Sequence, residues 1–191
     1  MARVILHFSI SLDGYAAGPD VGIDQPMGAG GESLHDWLFA APRTDVDLQV
    51  AQEISASVGA VLIGRRTFDV GIGPWGDTPF PAPCFVLTHQ AREPLLQKSG
   101  VFTFVGNGIA DALRMAADAA HDRDVVVMGV DIARQALKAG LVEEINLQLA
   151  PLLLGDGRRL FEGIGVPGPG FELIRTLPSP HVVHLRYRVV R

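Results

Sequence analysis

Five short apolar runs, at residues 4–12, 60–63, 84–88, 101–105 and 125–128, recur along this chain with helical or loop segments between most of them. Runs this short cannot bury themselves alone, and the arrangement that buries many of them together is a sheet covered by helices. The intervening patterns agree. Residues 45–57 repeat Val46, Val50 and Ile54 at a four-residue rhythm that makes one helical face apolar, with Thr44 placed as its N-cap. Residues 109–120 carry Ile109, Leu113 and Ala116 on one side, and residues 132–139 repeat the pattern with Ala133, Ala136 and Leu137. The final third changes: 144–149, 171–176 and 181–190 alternate like half-buried strands without helices of useful length between them, which predicts antiparallel pairing. The expectation is a mixed α/β sheet, mostly parallel with an antiparallel ending, in a single domain spanning 1–191.

The second of these runs breaks at Gly64 straight into Arg65, Arg66 and Thr67. Such a junction suits a phosphate: glycine lets the backbone approach, a helix begun just after it offers unpaired N–H groups, and arginine adds forked donors. A second junction of this kind is Gly129-Val130-Asp131-Ile132-Ala133 after the run at 125–128. Two weaker ones end other runs at Thr88-His89 and at Gly106-Asn107. In parallel and mixed sheets such connections emerge at the same edge, so two of them can hold the two ends of one extended ligand. The G-x-G-x-x-G match at residues 71–76 is set aside, because it contains Pro74 and neither follows a strand nor opens a helix; it reads as loop. Trp75 within it could still cap a flat ligand.

Composition narrows the choices. The longest apolar runs fall far below the roughly 18 residues of a membrane span, and the first residues offer no long apolar stretch, so a soluble, cytoplasmic protein is expected. Twenty-one acids outnumber sixteen lysines and arginines for a net charge of −5, which argues against a nucleic-acid surface but leaves room for a local anion pocket. The single cysteine, Cys84, lies in an apolar run and reads as a core thiol. His181 and His184 sit three apart on an expected strand and so point to opposite faces, which disfavours a metal site; none is expected. Serine-hydrolase, zinc-protease and Walker signatures are absent.

Taken in order, Ser11-Leu12-Asp13-Gly14, Gly64-Arg65-Arg66-Thr67-Phe68, residues 85–89 and residues 140–145 resemble the dihydrofolate reductase-like superfamily. Residues 149–157 with Leu160-Phe161 bring the likeness closer to the C-terminal reductase domain of the bacterial riboflavin-biosynthesis deaminase-reductase and its stand-alone relatives. The resemblance implies a three-layer α/β/α fold, NADP(H) as cofactor, a small-molecule substrate and a homodimer. It sets Gly64, Arg65, Arg66, Thr67, Thr88 and His89 around the diphosphate and adenosine phosphate, with Arg65 and Arg66 selecting NADP over NAD. Gly106 and Asn107 join the cofactor side. Residues Gly129 to Ala133 would lie under the remaining phosphates and the nicotinamide half, where relatives carry a second glycine in place of Val130. A β-branched residue disfavours positive φ, so either the turn differs here or cofactor affinity is reduced. Asp13 and Asp47 are the implied catalytic carboxylates, with an ordered water as the other proton source, and Tyr15, Trp37 and Trp75 are expected to shape the substrate pocket. The implied reaction is hydride transfer to a C=N or C=O bond. The cysteine-histidine zinc pattern of a deaminase module is not found in these residues.

Overall fold

A computed structural model describes residues 2–40, 42–90, 92–165 and 168–190. The apolar runs become strands β1 (Val4–Ser11), β2 (Val58–Gly64), β3 (Cys84–Leu87), β5 (Val101–Val105) and β6 (Asp124–Met128), with a two-residue β4 (Leu95–Leu96) beside β5. The alternating final third supplies β7 (Glu144–Ala150), β8 (Gly170–Pro178) and β9 (Val183–Val190). All nine pair into one sheet in the order β4-β5-β3-β2-β6-β1-β7-β9-β8. Pairing is parallel from β5 through β7; β4 on one edge and β9 and β8 at the other run antiparallel. Helices α1 (Asp36–Phe39), α2 (Asp45–Ser57), α3 (Arg65–Trp75), α4 (Ile109–Ala120) and α5 (Val130–Lys138) complete the fold.

The strand period of two sorts side chains onto two faces. Val4, Leu6, Phe8 and Ile10 of β1 join Leu62, Val125 and Val127 in a core with Ala112, Leu113 and Ala116 of α4 and Ile132, Ala133 and Ala136 of α5. On the opposite face, Val61, Ile63, Val86, Phe102 and Val126 pack with Phe68 of α3. Cys84 belongs to this second core, and burial pushes its thiol up to about 12. Thr44 does cap α2, its hydroxyl accepting from the Asp47 N–H at 3.1 Å. Among the described residues no helix is long and apolar enough to cross a membrane.

Two expectations fail. Residues 71–75 are not loop: α3 runs through Gly71, Gly73 and Pro74 to Trp75. The reason lies at Gly71, where a Cβ would come within 2.3 Å of the Trp75 ring, so the missing side chain lets the indole fold back along its own helix. Pro74 falls in the last turn, where its missing N–H takes a bond from the end of the helix and not from its middle, and Gly76 ends the helix in the left-handed region. The last strand starts at Val183, so His181 lies exposed in the preceding turn and only His184 is on β9.

Candidate functional site

Adjacent strands β2 and β6 release their chains at the same edge of the sheet, β2 into α3 and β6 into α5. Between α2 and α3, running out to that edge, lies a cleft of about 1270 Å³. Met128 and Val126 of β6 and His7 and Ser9 of β1 line its sheet side; Ala51, Ile54 and Ser55 of α2 face Val70, Gly71 and Trp75 of α3 across it. Gly64, Arg65, Arg66, Thr67, Thr88, His89, Gly106, Gly129, Val130, Asp131 and Ile132 all border this one space. Asn107 and Ala133 do not: Asn107 is exposed beyond Gly106, and Ala133 is buried in the α5 core.

Helices α3, α4 and α5 begin after Gly64, Gly108 and Gly129, each without a side-chain cap. Their first-turn N–H groups are therefore available to a ligand, at the positive end of the helix dipole. The first turn of α3 also lacks an acid. In α5 the first-turn acid is Asp131, and it is ion-paired with Arg158. Gly129 has φ 94°, and a Cβ there would stand 2.4 Å from the Thr67 hydroxyl, so this glycine is what brings the two junctions together. Val130 is the first residue of α5 and is not among the residues with positive φ. Gly129 itself carries the positive φ, so the β-branch of Val130 meets no backbone penalty in this turn. The arginines are partly engaged. Arg65 bonds Asp69 at 2.8 Å and Gln90 at 3.0 Å, and Arg66 donates to the Val21 carbonyl at 2.8 Å, tying the loop over α3.

The two carboxylates expected to be catalytic lie outside the cleft lining. Asp13 accepts from Ser11 Oγ, from the Gly155 N–H at 2.8 Å and from the Leu154 N–H at 3.2 Å. Led by the Ser11 bond, these contacts together outweigh the opposing effect of desolvation and hold its carboxyl down at about 2. It clamps the β1 turn to the chain after β7. Asp47 is buried beneath α2, where its Oδ1 meets His184 Nε2 at 2.8 Å and its Oδ2 accepts from Thr44 Oγ1 at 2.7 Å. Burial raises its pKa, but the bonds from Thr44, His184 and Ser179 outweigh that and leave it below the ordinary value. Tyr15 is likewise off the lining: it is buried, its hydroxyl donates to the Gly155 carbonyl at 3.3 Å, and Arg159 covers its ring. Trp37 and Trp75 do border the cleft. Trp37 is held by an Nε1–H bond to Ser9 Oγ at 3.0 Å and an edge contact with His184.

Sequence reasoning missed His7, Ser9, His35, Met27 and Phe39, which line the half of the cleft nearest α1 and α2. Burial, with His35 and His184 nearby, lowers His7 to about 4; burial lowers His35 as well. The signal for His7 and Ser9 was their alternation on β1 among apolar neighbours. Behind them the sheet stays polar, for His7 pairs across to Asn146 and Ser9 to Gln148, and these lead on to Arg186 and His184. Asn146 Oδ1, Gln148 Oε1 and His184 Nδ1 are buried without partners, and all three residues line a side cavity of about 100 Å³ that also reaches His7.

The RibD C-terminal domain family matches residues 2–185. The chain belongs to that family. A RibD C-terminal domain is a reductase-type domain, which puts the protein among the oxidoreductases. Its fold is similar to that of a Shewanella protein assigned to riboflavin biosynthesis (22% identity, all of both chains, TM-score 0.75). It is also similar to the deaminase/5-amino-6-(5-phosphoribosylamino)uracil reductase of Thermotoga maritima (16% identity, TM-score 0.67), where 99% of this chain covers 57% of that one. Dihydrofolate reductase from Enterococcus faecalis, solved with NADP(H), shares the fold over 98% of this chain and 96% of its own (14% identity, TM-score 0.58). The dihydrofolate reductase-like architecture is thereby established. No curated protein matches the sequence significantly.

Proposed function

We propose that the protein is an NADPH-dependent reductase that delivers a hydride to a C=N or C=O bond of a small compound, of pteridine, pyrimidine or ribityl type. One observation carries the reading: three glycine-led, uncapped helix starts open on a single cleft beside two arginines. That donor set fits a dinucleotide. Open N–H groups at the starts of α3 and α5 suit its diphosphate, the free donors of Arg66 suit an additional phosphate, and Trp75 with Phe80 offers flat apolar surface. When bound, NADPH would supply the hydride.

The chain's own part is to orient and enclose. Trp37 and Trp75 narrow the cleft from its two walls and exclude water, and the Gly129–Thr67 contact holds the two phosphate-type junctions in register. With Asp13 and Asp47 off the lining, the proton for the substrate heteroatom comes from water held at His7, Ser9 and His35. A homodimer belongs to the same proposal, supported by Phe171, Leu173 and Ile174 exposed on edge strand β8.

Titrating the protein with NADPH while following cofactor fluorescence tests the reading. A saturable signal is expected, and Arg66→Ala should weaken NADPH about tenfold while barely changing NADH, the difference one charge-assisted contact makes. An unsaturable signal, or equal weakening of both, counts against it. A second reading, cofactor binding without turnover, is favoured by the lack of a free carboxylate on the lining among the described residues: Asp69 and Asp131 are both paired with arginines. In that case NADPH binds but is never oxidised across pterins, pyrimidines and carbonyl compounds.

A further inference from the structure

The cleft is charged at one end and uncharged at the other. Among the described residues its only arginines and carboxylates are Arg65, Arg66, Asp69, Asp131 and Arg158, on α3, α5 and the segment after Gly157. At the α1–α2 end the walls are Trp37, Leu38, Phe39, Ala51 and Ile54, relieved only by hydroxyls and by His7 and His35. Burial holds both imidazoles below their ordinary pKa, His7 at about 4, so neither brings a positive charge at neutral pH. Arg43 bonds the Leu38 carbonyl but stands outside the lining. Phe39 is 78% exposed at this end, a large ring with little of its surface packed, whereas Trp37 is 3% exposed and fixed by Ser9. A rigid indole and an open phenyl ring on one apolar wall suit a flat ring system.

We propose, resting on the reductase reading above, that the substrate is an uncharged flat ring compound bearing a C=O or C=N group, and that its phosphorylated counterparts are discriminated against. A phosphate carried into this end gives up hydration and meets no cation on the described lining in return. The reaction balances without another reagent: the carbon gains a hydride, the heteroatom gains a proton from water, and NADPH becomes NADP⁺. The exclusion extends to 5-amino-6-(5-phosphoribosylamino)uracil, the compound named for the Thermotoga relative.

Calorimetry on the NADP-loaded protein decides it, using that phosphoribosyl compound and the same riboside without its phosphate. The riboside is expected to bind at least about tenfold more tightly. Equal or tighter binding of the phosphate, or no binding of either, overturns the proposal. Phe39→Arg should move the ratio about tenfold toward the phosphorylated compound by adding one cation at the mouth; an unmoved ratio also overturns it. Cofactor fluorescence is read separately, so a protein that fails to bind NADPH at all defeats the reductase reading itself and is told apart from a wrong substrate class.

Discussion

On the side of the sheet covered by α4 and α5, β1 contributes Val4, Leu6, Phe8 and Ile10 to a continuous apolar core, whereas its other side presents Ile5, His7 and Ser9. The same strand thus serves two environments. Toward β7 and β9 the second side is largely polar, with Asn146, Gln148, His184 and Arg186 in register, and α2 lies over it with Asp47 turned inward. The apolar side has every reason to close, since each buried methylene adds to stability. The polar side cannot close as tightly without stranding more donors and acceptors, and there the cleft and the side cavity are found. The comparison teaches that along β1, β7 and β9 the fold closes one face and leaves the other to the cleft, while the apolar core of that other face sits farther along, at β2, β3 and β5.

The contrast is open to attack from both sides. Leu6→Ala on the closed face should cost about 3 kcal/mol in denaturant unfolding while leaving NADPH affinity intact at temperatures where the protein is folded. A loss of affinity instead would show that the faces are not separable. His7 makes the polar face acid-sensitive. Its folded pKa of about 4 lies below the ordinary 6.5, so the unfolded chain takes up a proton that the folded one refuses. Stability should therefore fall as pH drops from 6.5 to about 4, by up to about 3 kcal/mol, and His7→Gln should flatten that limb. An identical pH slope in the variant would mean that the imidazole is not held neutral by this face. The smallest effect is expected from Thr44→Ala, which removes the α2 cap and one bond to Asp47 at a cost of about 1 kcal/mol, read from the thermal midpoint.

Local patterns made much of the fold legible. Helices α2 and α4 and strand β5 fall where periodicity sets them, because amphipathic spacing and capping act within a few residues. The stretch 71–75 was misread because Gly71 and Pro74 are breakers by composition, and only the Trp75 ring lying back over Gly71 shows why the helix survives. For the site, glycine-led junctions gave away the phosphate-type end. The carboxylates did not follow: the resemblance implies a catalytic Asp47, but its partner His184 is 137 residues away, and Asp13 is claimed by N–H groups 141 and 142 residues away. His7 and Ser9 carried no motif at all.

What the amino-acid order alone determined was the alternation of strand and helix, the glycine breaks after β2 and β6, and the family they imply, since each depends on neighbours along the chain. Which acids stay free, which histidines face open space and where the charge on the cleft stops were decided only when distant segments met, because desolvation and pairing depend on what surrounds a group in three dimensions.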